Sequence, residues 1–177
     1  MLIGNFLKNI KKEFKSHQFT GLSFNSEDCK KDYIFFAIKG IKSDGSKFID
    51  HAIKKGATVI ISEKKFEGIK NKILFLRSKN VRKVLSELSY KIKKNIPKNL
   101  IAVTGTNGKS SIADFYFQLL NLSNKKVASI GTLGIRTKNN LKKVSNTTLD
   151  PIGLSKILNE LIKKKIDNVI LEASSHG

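Results

Sequence analysis

An apolar segment at residues 100–104 runs straight into Thr104-Gly105-Thr106-Asn107-Gly108-Lys109-Ser110-Ser111, and a helix-forming stretch follows to Leu122. This order of strand, glycine turn and helix restricts the chain to α/β architectures whose sheet ends in a loop open to ligand. Glycines let the backbone approach an anion, and the turn's N–H groups together with the helix N-terminus bind phosphate oxygens. On this reading Lys109 reaches the β- and γ-phosphates of a nucleotide, and the Ser110 hydroxyl ligates Mg²⁺. The strict G-x-x-x-x-G-K-[ST] pattern is not met, because Val103 stands at its first glycine.

Beyond residue 122 the pattern continues as a strand at 127–130, a polar loop, a helix at 151–165 and a strand at 168–172. Asp150 is placed as the helix N-cap and Pro151 at the first helical position, where its missing N–H costs nothing. The succession is βαβαβ, which implies a parallel sheet with right-handed crossovers. Ligands of such sheets bind at the carboxyl ends of the strands. The phosphate loop, the turn at Gly131, and Glu172 with Ser174 all follow strands, so they are expected to converge there. Val169-Ile170-Leu171-Glu172 is then an apolar strand ending in a carboxylate that can bind the nucleotide's Mg²⁺, directly or through water.

The first half reads as a separate small α/β domain. Apolar residues Ile3, Phe6, Leu7, Ile10 and Phe14 form a helical stripe over residues 2–14. Strands are expected at 20–24, 33–38, 58–62 and 73–76. A helix over 46–55 is terminated by Gly56, and a long helix is capped by Asn80 and ends before Pro97. The change of character at 97–99 divides the chain into residues 1–97 and 98–177. No internal repeat is present.

The net charge is +20, from 34 basic and 14 acidic residues. Phosphate backbones are bound through such charge. Here, however, the basic residues are nearly all lysines on the polar faces of predicted helices, and arginine, which reads bases, occurs only at Arg77, Arg82 and Arg136. A solvated surface is the simpler reading, and no nucleic-acid partner is expected. The longest apolar run, 33–38, is far too short to cross a bilayer, and no secretory leader is apparent. One cysteine, Cys29, excludes an internal disulfide framework and a zinc-type cysteine cluster, and it is read as a bystander. These features point to a soluble protein of a reducing, cytoplasmic compartment, with no membrane insertion. His17 and His51 have no partner in the sequence pattern and are expected at the surface or on a helix face. Phe115, Tyr116 and Phe117 lie on the helix after the phosphate loop and read as core or helix surface.

These residues also resemble a family. Thr104 to Ser111 resembles the TGTNGKTT phosphate loop of the Mur ligases, with Ser110 and Ser111 in place of two threonines. Asn146-Thr147-Thr148-Leu149-Asp150-Pro151 is similar to the NTTPDP-like segment of the branch acting on UDP-N-acetylmuramoyl-L-alanyl-D-glutamate. Glu172-Ala173-Ser174-Ser175-His176-Gly177 looks like the E-[VA]-S-S-H-G stretch of that branch. In the first domain, Phe35-Phe36-Ala37-Ile38-Lys39-Gly40 and Asp44-Gly45 are similar to its F-x-A-[LI]-x-G…DG pattern. Asn25-Ser26-Glu27 stands where the family has DSR.

The resemblance implies a uridine-binding N-terminal domain followed by the first part of an ATP-binding domain. By resemblance, Gly105, Thr106, Asn107, Gly108, Lys109, Ser110 and Ser111 bind ATP, Ser110 and Glu172 hold Mg²⁺, and Lys109 and Glu172 take the catalytic roles. Phe24, Ser26, Ile41, Lys42 and Ser43 hold the uridine end of the precursor, while Asn146, Thr147, Thr148 and Ser174 contact its muramoyl-peptide part. The implied activity is an ATP-dependent amide-bond ligase that adds a diamino acid through an acyl phosphate, acting as a monomer. The family's remaining ligands and its amino-acid-binding domain have no counterpart here, so the sequence reads as an incomplete fragment, inactive by itself. The alternatives are a phosphate-loop NTPase acting on nucleic acid and a non-catalytic nucleotide- or precursor-binding module.

Overall fold

Strands buried on both faces read as continuous apolar runs rather than alternating ones, and the first half of the chain is built from such runs. The computed structural model describes residues 1–40, 43–93, 96–143 and 149–173, and the chain falls into two units, Met1–Ile92 and Lys93–Gly177. In the first unit the strands are β1 (Gly21–Ser23), β2 (Tyr33–Phe36), β3 (Ala57–Ser62), β4 (Gly68–Lys70) and β5 (Ile73–Arg77), ordered β1-β2-β3-β5-β4. All neighbours are parallel except β4, which pairs antiparallel with β5 and was not apparent in the sequence. The pairing Phe35↔Ile60↔Phe75 puts three large side chains in one row.

Phe35 and Ile60 pack with Cys29, Ala37, Ile49, Ala52 and Ala57 in one core, so helix α1 (Ile49–Lys54) covers this face. Ile34, Phe36, Val59, Leu74 and Leu76 alternate with that row and are also buried. On their side Ile61 and Leu76 line a cavity of about 460 Å³, together with Phe6 and with Val84 of helix α2 (Val81–Lys93). The side chain of Asn80 caps α2, accepting from the Lys83 N–H at 2.9 Å.

Two local expectations differ from the structure here. Residues 2–14 form no continuous helix, only 3-10 turns at Ile3–Asn5 and Lys12–Phe14. The chain doubles back instead. The N–H groups of Ile3 and Gly4 donate to the carbonyls of His17 and Lys15, and Phe19 donates to Met1. This buries Ile3, Phe14 and Phe19, so the apolar spacing serves a folded-back loop as well as a helix. A side chain at Gly4 would collide with Lys15, at 2.6 Å from its Cβ. The expected helix over 46–55 begins as a 3-10 turn, Gly45–Phe48, before α1 proper.

The second unit has β6 (Asn99–Thr104), β7 (Val127–Gly131), β8 (Gly134–Thr137), β9 (Asn140–Lys142) and β10 (Asn168–Ala173), ordered β6-β10-β7-β8-β9. Strand β10 lies between β6 and β7, parallel to both, with Leu171 opposite Ala102 on one side and Ile130 on the other. The expected polar loop after β7 is instead the antiparallel hairpin β8–β9, turning at residues 138–139. Its lysines and asparagines hide the strand pattern, but Ile135 is buried and pairs with Ile130 of β7.

Helix α3 (Lys109–Leu122) follows β6, and helix α4 (Pro151–Lys163) precedes β10. Asp150 caps α4, its carboxylate accepting from the Gly153 N–H at 2.9 Å, with Pro151 in the first turn as expected. The helix stops two residues earlier than expected, because Lys165 turns to φ +59°. Among the described residues no helix is long and apolar enough to cross a membrane.

Two substitutions test this account. Gly56 ends α1 at φ +109°, and an added Cβ would stand 2.8 Å from the Lys31 Cα and 2.9 Å from its nitrogen. Gly56→Ala should destabilise by about 1–3 kcal/mol, since both conformation and space oppose it, measured by urea denaturation. Asp150→Ala should cost about 0.5–2 kcal/mol, the range for losing an N-cap acceptor. Asp150→Asn should recover most of that loss.

Candidate functional site

The turn between β6 and α3 is held open by two glycines. Gly105 sits at φ +148° and Gly108, the N-cap of α3, at φ +79°. Nothing lies within 4 Å of a Cβ built on Gly108, so its conformation alone, not crowding, demands glycine there. Residues 104–108 are exposed, and the first-turn N–H groups of α3, which have no partner within the helix, face this opening. The helix dipole adds positive potential at the same place. The Lys109 ammonium folds back over the turn, donating to the carbonyls of Gly105 (2.7 Å) and Thr106 (3.1 Å). Thr106, Asn107 and Ser111 lie in the same segment, with Ser111 exposed on the first turn of α3.

Glu172 is 4% exposed, an unusually buried carboxylate near the carboxyl end of β10. Among the described residues three donors reach it. Ser110 Oγ donates to Oε2 at 2.8 Å, Thr132 Oγ1 donates to Oε2 at 3.0 Å, and the Thr132 N–H donates to Oε1 at 3.3 Å. The expected convergence of the glycine turn, the Gly131 turn and Glu172 is therefore observed as hydrogen bonds. A hydroxyl and a carboxylate oxygen in contact form a hard-oxygen pair of the kind Mg²⁺ takes from a protein, with phosphate and water oxygens completing the octahedron. Thr132 and the steric role of Gly131 were missed in the sequence. The available signal was a Gly-Thr pair directly after a strand that ends on the ligand edge.

Helix α3 is braced against the unforeseen hairpin. Arg136 of β8 donates to the Asp114 carboxylate of α3, and its guanidinium lies 4.3 Å from the centre of the Phe117 ring. Phe117 is thus core, as expected, while Phe115 is exposed. Partial exposure keeps the ion pair modest, at about 1 kcal/mol or less. The packing of Phe117 fixes α3 more firmly than the charge does.

In the first unit, Ser26 is buried in a 3-10 turn after β1 and Phe24 is exposed beside it. Ser23 pins that turn, donating to the Asn25 carbonyl at 2.7 Å and accepting from the Asn25 N–H at 3.1 Å. Ser43 is exposed, and its carbonyl accepts from Gly40. Asp44 and Gly45 have separate physical tasks. Asp44 accepts from the Ser46 N–H at 2.8 Å, and this bond holds its carboxyl below the ordinary range. Gly45 passes so close to Ile38 that a Cβ would meet its backbone at 2.7 Å.

His51 has a neighbour that the sequence did not disclose, its Nε2 standing 3.8 Å from Glu27. His17 is partly buried, which lowers its pKa. Cys29 is buried and its thiol is pushed up to about 11, so it is unreactive, in keeping with a bystander. Ile41, Lys42, Asn146, Thr147, Thr148, Ser174 and His176 lie outside the described residues.

Residues 18–98 match a family model described as Mur ligase family, catalytic domain, and residues 103–177 one described as Mur ligase middle domain. The UDP-N-acetylmuramoyl-L-alanyl-D-glutamate--2,6-diaminopimelate ligase of Rickettsia montanensis is 42% identical over 96% of this chain and 36% of its own length. The ligase of the same name from Zymomonas mobilis is 36% identical over 92% of this chain and 33% of its own. A solved structure of a ligase with that name superimposes with a TM-score of 0.81 at 28% identity, covering 100% of this chain and 36% of the other. A MurF ligase of Thermotoga maritima in complex with ADP shares the fold, with a TM-score of 0.57 at 24% identity over 87% of this chain and 32% of its own. The chain spans about a third of the length of the curated relatives it matches. With both family models matched in succession and the relatives aligned along nearly all of its residues, the chain belongs to the Mur ligase family.

Proposed function

We propose that this chain supplies the precursor-binding domain and the nucleotide-phosphate site of an ATP-dependent amide-bond ligase of peptidoglycan precursor synthesis. Its substrate would be UDP-N-acetylmuramoyl-L-alanyl-D-glutamate and its amino acid a diamino acid; the relatives' names favour 2,6-diaminopimelate. The observation that carries this reading is the contact of Ser110 with buried Glu172, in the first helical turn after the glycine loop and next to Lys109. The setting is the cytoplasm, where ATP and the UDP-linked precursor meet, and the chain acts as a monomer.

In the reaction the precursor's terminal carboxylate attacks the γ-phosphorus of ATP, forming an acyl phosphate and releasing ADP. The amine of the diamino acid then attacks the acyl carbon, expels inorganic phosphate, loses a proton and leaves an amide. The backbone N–H groups of Gly105, Thr106, Asn107, Gly108, Ser110 and Ser111 cradle the phosphates, and Lys109 offsets the charge that gathers on the transferring group. Ser110 and Glu172 would hold Mg²⁺, which when bound neutralises phosphate charge and aligns the transfer. No side-chain nucleophile is needed. Phe24, Ser26, Ile41, Lys42 and Ser43 take the uridine end, with Phe24 offering an exposed ring. Asn146, Thr147, Thr148 and Ser174 take the muramoyl-peptide end.

Lys109 separates specific binding from generic attraction by a +20 surface. Lys109→Ala should weaken ATP binding to the chain about 10- to 100-fold, the scale of a hydrogen bond to a charged group. Lys164→Ala, at the exposed end of α4, should change it less than about twofold. Calorimetric titration of both variants at low and moderate salt checks this. Equal, salt-sensitive losses would remove the phosphate-loop assignment.

A further inference from the structure

The donors around Glu172 divide into two groups. Ser110 belongs to α3 and to the nucleotide-binding turn, whereas Thr132 follows β7 and belongs to neither. Thr132 grips the carboxylate at both oxygens, with its backbone N–H on Oε1 and its hydroxyl on Oε2. Gly131 forms the wall behind this grip. A Cβ built there would lie 2.2 Å from Oε1, 2.4 Å from Cδ and 2.6 Å from Cγ of Glu172. The carboxylate therefore lies flat on the Gly131 α-carbon, and steric contact and the Thr132 donors together fix its plane.

We propose that Thr132 is a positioning residue for the cation site. Its hydroxyl sets the orientation of the Glu172 carboxylate, so that Oε2 meets the Ser110 hydroxyl and stays aimed at the divalent ion that accompanies the nucleotide. This deepens the nucleotide-site reading above and rests on it. A carboxylate buried to this degree cannot exchange donors with bulk water at low cost, so losing one donor shifts its orientation rather than merely weakening a contact. Oε2 carries both side-chain hydroxyl donors. Among the described residues, without Thr132 Oγ1 its lateral position depends on Ser110, which must also present its oxygen to the cation. Hydrogen-bonding partners that orient metal ligands typically govern metal affinity by one to two orders of magnitude. The bland alternative is that Thr132 only closes the turn after β7, in which case its hydroxyl would matter to stability and not to metal affinity.

The test uses the 177-residue chain with Mn²⁺ in place of Mg²⁺, since electron paramagnetic resonance counts free Mn²⁺ directly and gives the bound ion by difference. ADP affinity is measured in parallel in EDTA. Thr132→Val removes the hydroxyl at equal volume, and Thr132→Ala is a second hydroxyl-free variant. Either is used if it melts within about 3 °C of wild type, so that the fold is retained. Thr132→Ser keeps the hydroxyl. The expected result is about tenfold weaker Mn²⁺ binding to the ADP complex of the hydroxyl-free variant, the scale of losing an orienting partner. Thr132→Ser should stay within about threefold, and ADP affinity in EDTA should be unchanged in all variants. Mn²⁺ affinity unchanged on hydroxyl removal, or Thr132→Ser falling as far as Thr132→Val, overturns the positioning role while leaving the nucleotide site intact. A wild-type chain that binds neither ADP in EDTA nor Mn²⁺ with ADP overturns the nucleotide-site reading and this inference with it.

Discussion

A buried anion has to be paid for in donors, and in the second unit that requirement falls on Glu172. An ionised carboxylate taken from water is costly unless hydrogen bonds replace its hydration, and here they come from two elements besides its own strand. The strand order makes this possible. Because β10 runs between β6 and β7 and parallel to both, its carboxyl end opens between the turns that follow those two strands. The first turn delivers Ser110 and the second delivers Thr132. A different order, with β10 at an edge, would leave the carboxylate within reach of only one of them. Secondary interactions then secure each donor, Ala113 and Phe117 packing α3 down and the Gly131–Gly134 pairing tying the second turn into the β7–β8 hairpin.

Glycine serves this arrangement in two distinct ways. Gly108 has open space around it and is needed only for its left-handed conformation, which starts α3 while leaving the loop's N–H groups outward. Gly131 does not adopt a positive φ. It is needed because the Glu172 carboxylate occupies the volume of a side chain. The two cases predict different tolerances. Asparagine suits a left-handed cap with free space, but no side chain suits a position already filled by another residue's carboxylate. Gly45 in the first unit is of the second kind, with the backbone of Ile38 in place of a carboxylate.

Much of this was legible in the sequence because local chemistry and global fold agree there. Gly108-Lys109-Ser110 after a strand, Asp150-Pro151 before a helix, and an apolar strand ending in Glu172 each carry a signal with one dominant meaning. The misses occurred where one pattern admits two solutions. Apolar residues at 3, 6, 7, 10 and 14 fit a helix, yet Gly4 packs against Lys15 and the chain folds back, burying Ile3 and Phe14 and half-burying the other three through a different geometry. The β8–β9 hairpin was hidden because its turn and second strand are rich in lysine and asparagine, residues that ordinarily mark loops. Only the pairing with β7 and the contacts of Arg136 with Asp114 and Phe117 give it a reason to be sheet. Thr132 was missed for a third reason. A threonine after a strand is common, and what distinguishes this one is a carboxylate 40 positions away in sequence.

The same distinction between pattern and geometry explains the large positive charge. At physiological salt an exposed lysine is screened beyond about 8 Å, so lysines spread over helix faces raise the local concentration of any anion without orienting it. Lys109 differs from Lys164 in placement, not in charge. Its ammonium is held on the carbonyls of Gly105 and Thr106, at the opening toward which the first turn of α3 points its N–H groups. An anion that arrives by diffuse attraction meets a fixed set of donors there, with the Ser110–Glu172 oxygen pair directly adjoining. On the proposed reading the surface charge can therefore vary widely among proteins of this fold with little consequence for selectivity, whereas displacing the Lys109 side chain or the Glu172 carboxylate by an ångström would remove the geometry proposed to tell a nucleotide from any other anion.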